Sequence, residues 1–158
     1  MDTQPGGSKK EIIPWELLNE EDISPSHYFP LFKQKVKIHN GKVFDDYYIT
    51  KLVDATMVVA VTKEKELLMV RQWRQGTSEI TLELPCGQND PHESTLDAAK
   101  RELHEETGAT ITSELIPLGK VSPMTPKATL RIFGYFCTID SLLAKQDLDD
   151  TENIEVVK

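Results

Sequence analysis

The chain of 158 residues is long enough for one domain with an apolar core, and its 39% hydrophobic and 28% charged residues are typical of a globular protein. The formal net charge of −8 argues against general nucleic-acid binding, which needs basic patches against phosphates. No apolar run approaches the length of a membrane span, and residues 1–10 lack a signal-peptide segment. Together with the net charge, these features predict a cytoplasmic protein that binds neither nucleic acid nor a membrane.

A polar tail followed by a β-hairpin is predicted at the N-terminus. Residues 11–35 are expected to be irregular, since three prolines interrupt any long element. Alternating polar and apolar residues then predict a strand over 35–39, with a returning strand over 42–50. The dipeptide Asn40-Gly41 between them favours a two-residue turn, because both residues tolerate positive φ.

The remainder of the chain is predicted to contain further strands and one clear helix. Apolar runs predict strands over residues 55–61, 66–73, 80–84 and 129–139. The helix is predicted over 94–107, with Ser94 as its N-cap and Gly108 just beyond its end. After residue 146 no closing element is expected. This order predicts a mixed β-sheet with helix cover, an α+β or α/β sandwich.

Three glutamates of the predicted helix, Glu102, Glu105 and Glu106, fall within an arc of about 100° on one face. Like charges at this spacing repel each other, so the face is either solvated or holds a hard divalent cation. Magnesium takes one or two carboxylates, waters and substrate phosphates, which suits this cluster. Arg101 is suited either to orient a neighbouring carboxylate or to pair with Glu105 along the helix. Gly87 before the helix permits a close approach of the backbone to a ligand.

The stretch from residue 87 to residue 109, GQNDPHESTLDAAKRELHEETGA, resembles the Nudix box. That motif reads Gly, five residues, Glu, seven residues, Arg-Glu, an aliphatic residue, one residue, Glu-Glu, one residue, Gly and an aliphatic residue. Every position matches except the last, which is Ala109. The resemblance implies a Nudix fold, with a mixed sheet between helices, and hydrolysis of a nucleoside diphosphate joined to another group.

The resemblance also assigns roles within the motif. It gives catalytic or metal-binding roles to six residues, namely Cys86 through its carbonyl, Glu93, Arg101, Glu102, Glu105 and Glu106. Glu102 and Glu106 would be the main ligands of Mg²⁺, for which Mn²⁺ is a possible substitute. Glu105 would be a further ligand or the general base, while Glu93 and Arg101 would hold the motif together.

Residues outside the motif resemble the ADP-ribose and nucleoside diphosphate sugar pyrophosphatase branch. They are Tyr47-Tyr48-Ile49, Val70-Arg71-Gln72-Trp73-Arg74 and Glu83-Leu84-Pro85. In this branch Arg74 would lie near the substrate, although a surface strand charge is the alternative. As an aromatic residue, Tyr48 is a candidate to contact the substrate by stacking on the base, with a core or interface aromatic as the alternative. The branch further implies a homodimer formed through an arm at residues 1–50, followed by the hydrolase domain at 51–158.

The expected reaction gives a nucleoside monophosphate and a sugar phosphate, but the identity of the proton acceptor is open. Relatives in this branch often carry a glutamate in the loop after the box, whereas residues 122–128 contain no acid. Glu105 is the first choice for the base and Glu152 the second. Two alternatives to the function remain: another nucleotide substrate, such as a dinucleoside polyphosphate, a damaged nucleoside triphosphate or NADH, and a non-catalytic Nudix module that binds a nucleotide.

Overall fold

The computed structural model describes residues 11–140 and 143–158, so the predicted polar tail at residues 1–10 lies outside the described part of the chain. The chain divides into two units between Lys51 and Leu52, and each unit has its own hydrogen-bonded sheets. Within the described residues, no helix is both long and apolar enough to cross a membrane.

A three-stranded antiparallel sheet forms the first unit. Its strands, in the order in which they pair, are β1 (Glu16–Asp22), β2 (Leu31–Lys37) and β3 (Val43–Thr50). Strand β1 shows that the expectation of irregular structure over residues 11–35 was wrong, because the prolines flank the strands and do not interrupt them. The acidic β1 pairs with the basic β2, with Lys37 Nζ 3.0 Å from Glu16 Oε2.

The β2–β3 hairpin is present, but its turn is not the predicted two-residue turn. The backbone N–H of Gly41 donates to the carbonyl of Ile38 at 2.9 Å, and the N–H of Ile38 donates to the carbonyl of Lys42 at 2.9 Å. Gly41 has a φ of 85°, whereas Asn40 keeps a negative φ. The loop that these hydrogen bonds close therefore has three residues, 39–41, and ends on a glycine in the left-handed conformation, an arrangement that is common in hairpins.

Two sheets and one helix make up the second unit. The mixed sheet, in pairing order, contains β7 (Cys86–Gln88), β4 (Ala55–Thr62), β9 (Ile132–Ile139) and β8 (Ile116–Val121). The antiparallel sheet contains β10 (Ile154–Val157), β5 (Met69–Arg74) and β6 (Glu79–Glu83). Strands β4 and β9 run parallel and the other pairs antiparallel, so the predicted mixed sheet is confirmed.

Helix α1 (Thr95–Thr107) begins and ends where the sequence predicts. The side chain of Ser94 accepts a hydrogen bond from the N–H of Asp97, and Gly108 closes the helix in the left-handed conformation with a φ of 67°. Helices were expected on both sides of the sheet, but α1 is the one helix among the described residues.

The core of the second unit lies between α1 and one face of the mixed sheet. Alternate residues of β4 and β9, such as Val58 and Cys137, are fully buried there against Ala99 and Leu103 of the helix. Burying this apolar stripe fixes the rotation of α1 about its axis. Because Glu102 and Glu106 are neighbours of the buried positions along the helix, they are held at the edge of the core and not in solvent.

Candidate active site

A cavity of about 500 Å³ in the second unit brings together most of the residues that the sequence singled out. Its charged lining includes Arg74, Arg101, Glu102, Glu106 and Glu152, and its apolar lining includes Leu52, Val53 and Leu130. The cavity therefore joins a strongly charged region with an apolar one, which is the composition expected where a small polar ligand carrying a less polar group binds.

Arg101 organises the acidic residues around the start of the box. Its Nε and Nη2 donate to the two carboxylate oxygens of Glu93 at 3.0 and 2.9 Å, and Nη2 also donates to the carbonyl of Gln88 at 3.0 Å. Its Nη1 donates to Glu102 at 2.8 Å and to Glu105 at 3.0 Å. All five N–H donors of this guanidinium are thus used within the protein, and the predicted linking of the motif by Glu93 and Arg101 is seen in the geometry.

The two most buried acids of the motif are Glu102, which is 8% exposed, and Glu106, which is 3% exposed. Glu106 Oε2 accepts a hydrogen bond from the backbone N–H of Cys86 at 3.0 Å. Burial raises the pKa of Glu106 to about 7, and the charges of Glu102 and Glu152 add to this rise. Burial also raises the pKa of Glu102, although Arg101 opposes the increase. The nearby arginines offset only part of this effect of burial, so a bound cation would stabilise the ionised form of both carboxylates.

Gly87 is required by the close approach of Glu102 to the backbone. A Cβ atom built on Gly87 lies 2.0 Å from Glu102 Oε2, far inside the distance that two such atoms tolerate. The glycine of the motif therefore leaves the space in which the Glu102 carboxylate lies. A side chain at position 87 displaces that carboxylate into another position.

The donor set of the cavity fits a hard divalent cation. Its acidic lining offers carboxylate oxygens, which such cations prefer. Because burial destabilises the ionised forms of Glu102 and Glu106, a cation bound beside them would stabilise both. In the described part of the chain, no three His, Cys, Asp or Glu side chains are arranged as a preassembled metal site. Magnesium is usually bound by a few protein carboxylates that share the ion with water and substrate phosphates. Burial raises the pKa of the Cys86 thiol to about 11. Its soft sulfur does not suit a hard cation, so the carbonyl of Cys86 stays the predicted ligand.

Glu105 lies apart from the other two glutamates of the helix face. Its side chain is 35% exposed, and its carboxylate is bonded to Arg101. Among the described residues that line the cavity, Glu105 is not included, whereas its neighbours Glu102 and Glu106 are. The arc of three carboxylates seen in the sequence is therefore divided by the structure into two buried acids at the cavity and one outside it.

The C-terminal segment lines one side of the cavity and contains a strand, although no closing element was expected after residue 146. Strand β10 pairs with β5, placing Ile154 opposite Gln72. The side chain of Gln146 donates to the carbonyl of Ile154 at 3.2 Å and to that of Glu106 at 2.5 Å. Glu152 is thereby held at the cavity and is close enough to raise the pKa values of Glu102 and Glu106. The alternating Ile154-Glu155-Val156 was the signal in the sequence that could have revealed this strand.

Arg74 lies at the end of β5 and lines the cavity, and its contact with a substrate stays a prediction. Its Nε and Nη2 donate to the two oxygens of Glu83 at 2.8 and 2.6 Å. Tyr48, the other predicted substrate contact, belongs to β3 of the first unit and is 41% exposed there. Its contact with a substrate stays a prediction.

Comparisons with known proteins place these features in context. A family model described as the NUDIX domain matches residues 51–158. The ADP-ribose pyrophosphatase of Bacillus subtilis (strain 168) is 31% identical over 147 residues, 90% of this chain and 77% of that protein. The ADP compounds hydrolase NudE of Escherichia coli (strain K12) is 31% identical over 134 residues, 84% of this chain and 66% of that protein. A crystal structure of an ADP compounds hydrolase has a TM-score of 0.81 and 25% identity, covering 94% of this chain and 79% of that one.

Proposed function

This chain belongs to the NUDIX family of hydrolases, and we propose that it cleaves the diphosphate of ADP-ribose or a related nucleoside diphosphate sugar. The products are a nucleoside monophosphate and a sugar phosphate. The observation that carries the proposal is the cavity that is lined by Arg74 and by the buried Glu102 and Glu106 of a Nudix box that matches at every position but the last. The similarity to a protein named ADP-ribose pyrophosphatase supports the substrate class.

Magnesium is the proposed cofactor, with manganese as a substitute, and Glu102, Glu106 and the Cys86 carbonyl are its proposed ligands. When bound, the cation supplies positive charge that neutralises the diphosphate and makes a water molecule more acidic. The protein holds the ligands in place beforehand: Arg101 fixes Glu102 at 2.8 Å and the Cys86 N–H fixes Glu106 at 3.0 Å. Such orientation of ligands by their neighbours is what gives a metal site its affinity and geometry.

The proton acceptor is proposed to be Glu152, the second choice of the sequence. Glu105, the first choice, shares a hydrogen bond with Arg101 and lies outside the cavity lining described above. Glu152 lines the cavity beside the buried pair, and its own carboxylate accepts a hydrogen bond from the N–H of Asp149 at 3.0 Å. A carboxylate within reach of the reacting water serves as a general base, and Glu105 keeps a supporting role through Arg101.

A broader substrate range is the second candidate. The likeness to a protein and to a solved structure that are both named ADP compounds hydrolase favours hydrolysis of several diphosphates that carry an adenosine group. The apolar side chains of Leu52, Val53 and Leu130 in the cavity suit a base or another weakly polar group without selecting one sugar. The homodimer formed through residues 1–50 and the cytoplasmic location are likewise proposals.

The test of the proposed function is a substrate panel with identification of the products. ADP-ribose, nucleoside diphosphate sugars, dinucleoside polyphosphates, nucleoside triphosphates and NADH are incubated with the protein, with and without magnesium. We expect the highest kcat/KM for ADP-ribose or a nucleoside diphosphate sugar, with AMP or another monophosphate released only when the cation is present. Binding without turnover of any substrate contradicts the proposal and favours a non-catalytic module.

A further inference from the structure

Among the basic side chains that line the cavity, Arg74 and Arg101 differ in how many donors remain for a ligand. Arg101 uses all five of its N–H donors on Glu93, Glu102, Glu105 and Gln88. Arg74 uses two, both on Glu83, and its other three N–H donors have no acceptor among the described residues. Of these two guanidiniums, Arg74 is therefore the one that can still bind an anionic ligand.

Glu83 determines which donors of Arg74 remain. Two parallel bonds, from Nε and Nη2, hold the guanidinium from one side, so Nη1 and the second N–H of Nη2 point away from the carboxylate. Glu83 is itself held, because Thr81 Oγ1 donates to its Oε1. The hydrogen bonds from Arg74 lower the pKa of Glu83, which keeps this carboxylate ionised at neutral pH.

The strand register brings these side chains to the face of the sheet that borders the cavity. Thr81 is paired with Gln72, and Gln72 and Arg74 both line the cavity. Because side chains alternate along a strand, Arg71 lies on the opposite face, where it donates to Glu155 at 3.0 Å. The sheet thus carries two arginine–glutamate pairs, a pair with two hydrogen bonds at the cavity and a pair with one hydrogen bond on the opposite face.

We infer that Glu83 is a positioning residue for the diphosphate: it fixes the Arg74 guanidinium so that its three remaining N–H donors face the phosphate oxygens. This inference rests on the proposed function, in which a nucleoside diphosphate occupies the cavity. Glu83 does not touch the substrate and acts through Arg74. Its negative charge near an anionic ligand is a disadvantage that the preorganised geometry outweighs.

Binding of ADP, measured by calorimetry in the presence of magnesium, separates positioning from simple electrostatics. If only charge mattered, Glu83→Gln would remove a negative charge and tighten ADP binding. Positioning predicts the opposite, a loss of affinity of about tenfold, since neighbours in one hydrogen-bonded group are strongly coupled. In an Arg74→Gln background the second substitution is expected to have no further effect. Glu155→Gln, the matched control on the opposite face, is expected to leave ADP affinity unchanged.

Several outcomes overturn the inference. They are equal or tighter ADP binding by Glu83→Gln, additive losses in the double variant, and failure of the unaltered protein to bind ADP at millimolar concentration. If Glu83→Gln does not fold, Thr81→Val removes the hydroxyl that holds Glu83 and is expected to weaken ADP binding two- to threefold; no change overturns the inference. Turnover of ADP-ribose is measured separately, so that Glu83-dependent binding without hydrolysis refutes the proposed function alone.

Discussion

Replacing Gly87 by alanine is expected to separate activity from stability. The added Cβ would lie 2.0 Å from Glu102 Oε2, whereas ordinary contact begins at 3.4 Å, so the carboxylate must move by more than 1 Å. The atom displaced is the end of a flexible side chain, and the backbone of Gly87 has no positive φ to strain. Glu102 can therefore swing aside without disturbing the fold.

The cost in stability is expected to be small. Moving Glu102 breaks its 2.8 Å bond to Arg101, a charge-assisted bond at a site where the arginine is 27% exposed. Such a loss costs roughly 1–2 kcal/mol, and the reduced freedom of the unfolded chain with alanine returns about 0.4–1 kcal/mol. The net change in the free energy of unfolding is thus about 1 kcal/mol. Turnover is expected to fall by about 10²-fold, because a displacement of this size misplaces a group of the site.

Urea denaturation and ADP-ribose turnover with magnesium measure the two effects. Gly76→Ala is the matched control, because a Cβ there meets no atom within 4 Å. We expect this control to retain both stability and full turnover. Full turnover by Gly87→Ala would show that the position of Glu102 does not matter for catalysis, and equal losses in the two alanine variants would show that the steric argument is wrong.

Two further predictions concern the base and the assembly. Glu152→Gln is expected to lower kcat by roughly 10²–10⁴-fold, as for loss of a general base. Glu105→Gln is expected to lower kcat less and to leave KM within a few-fold. If single-turnover kinetics show the larger loss for Glu105→Gln, Glu105 and not Glu152 is the base. The homodimer predicts a mass of about twice 17.9 kDa by light scattering at micromolar protein, and a mass near 17.9 kDa excludes it under those conditions.

The sequence predicted those elements whose signals are local. The helix was found with its cap at Ser94 and its end at Gly108 because capping, periodicity and the terminal glycine agree. Strand β4 was found from a continuous apolar run. Strand β1 was missed because ELLNEED is acidic and contains no β-branched residue, and pairing with the distant, basic β2 stabilises it. Strand β8 was not predicted, because it contains Pro117 and Gly119. These residues are tolerated there because β8 lies at the edge of the sheet.

The site was predictable in its chemistry but not in its geometry. Spacing along a helix placed Glu102, Glu105 and Glu106 on one face, yet it could not show that Glu102 and Glu106 are buried at the cavity while Glu105 lies outside its lining. The role of Glu83 depends on the register between β5 and β6, and that of Glu152 on the pairing of β10 with β5. Contacts between residues distant in the chain decide these features, and no local pattern encodes them.

The central claim, that hydrolysis depends on the buried acids of the Nudix box, is tested most directly by Glu106→Gln. The substitution keeps the shape of a side chain that is 3% exposed and removes only its charge. Loss of a site carboxylate removes on the order of 3–4 kcal/mol of transition-state stabilisation, so turnover of ADP-ribose with magnesium is expected to fall by roughly a hundred- to a thousandfold. His104→Gln, at an exposed position of the same helix, serves as the control and is expected to retain full activity. Near-normal turnover by a folded Glu106→Gln protein contradicts the account.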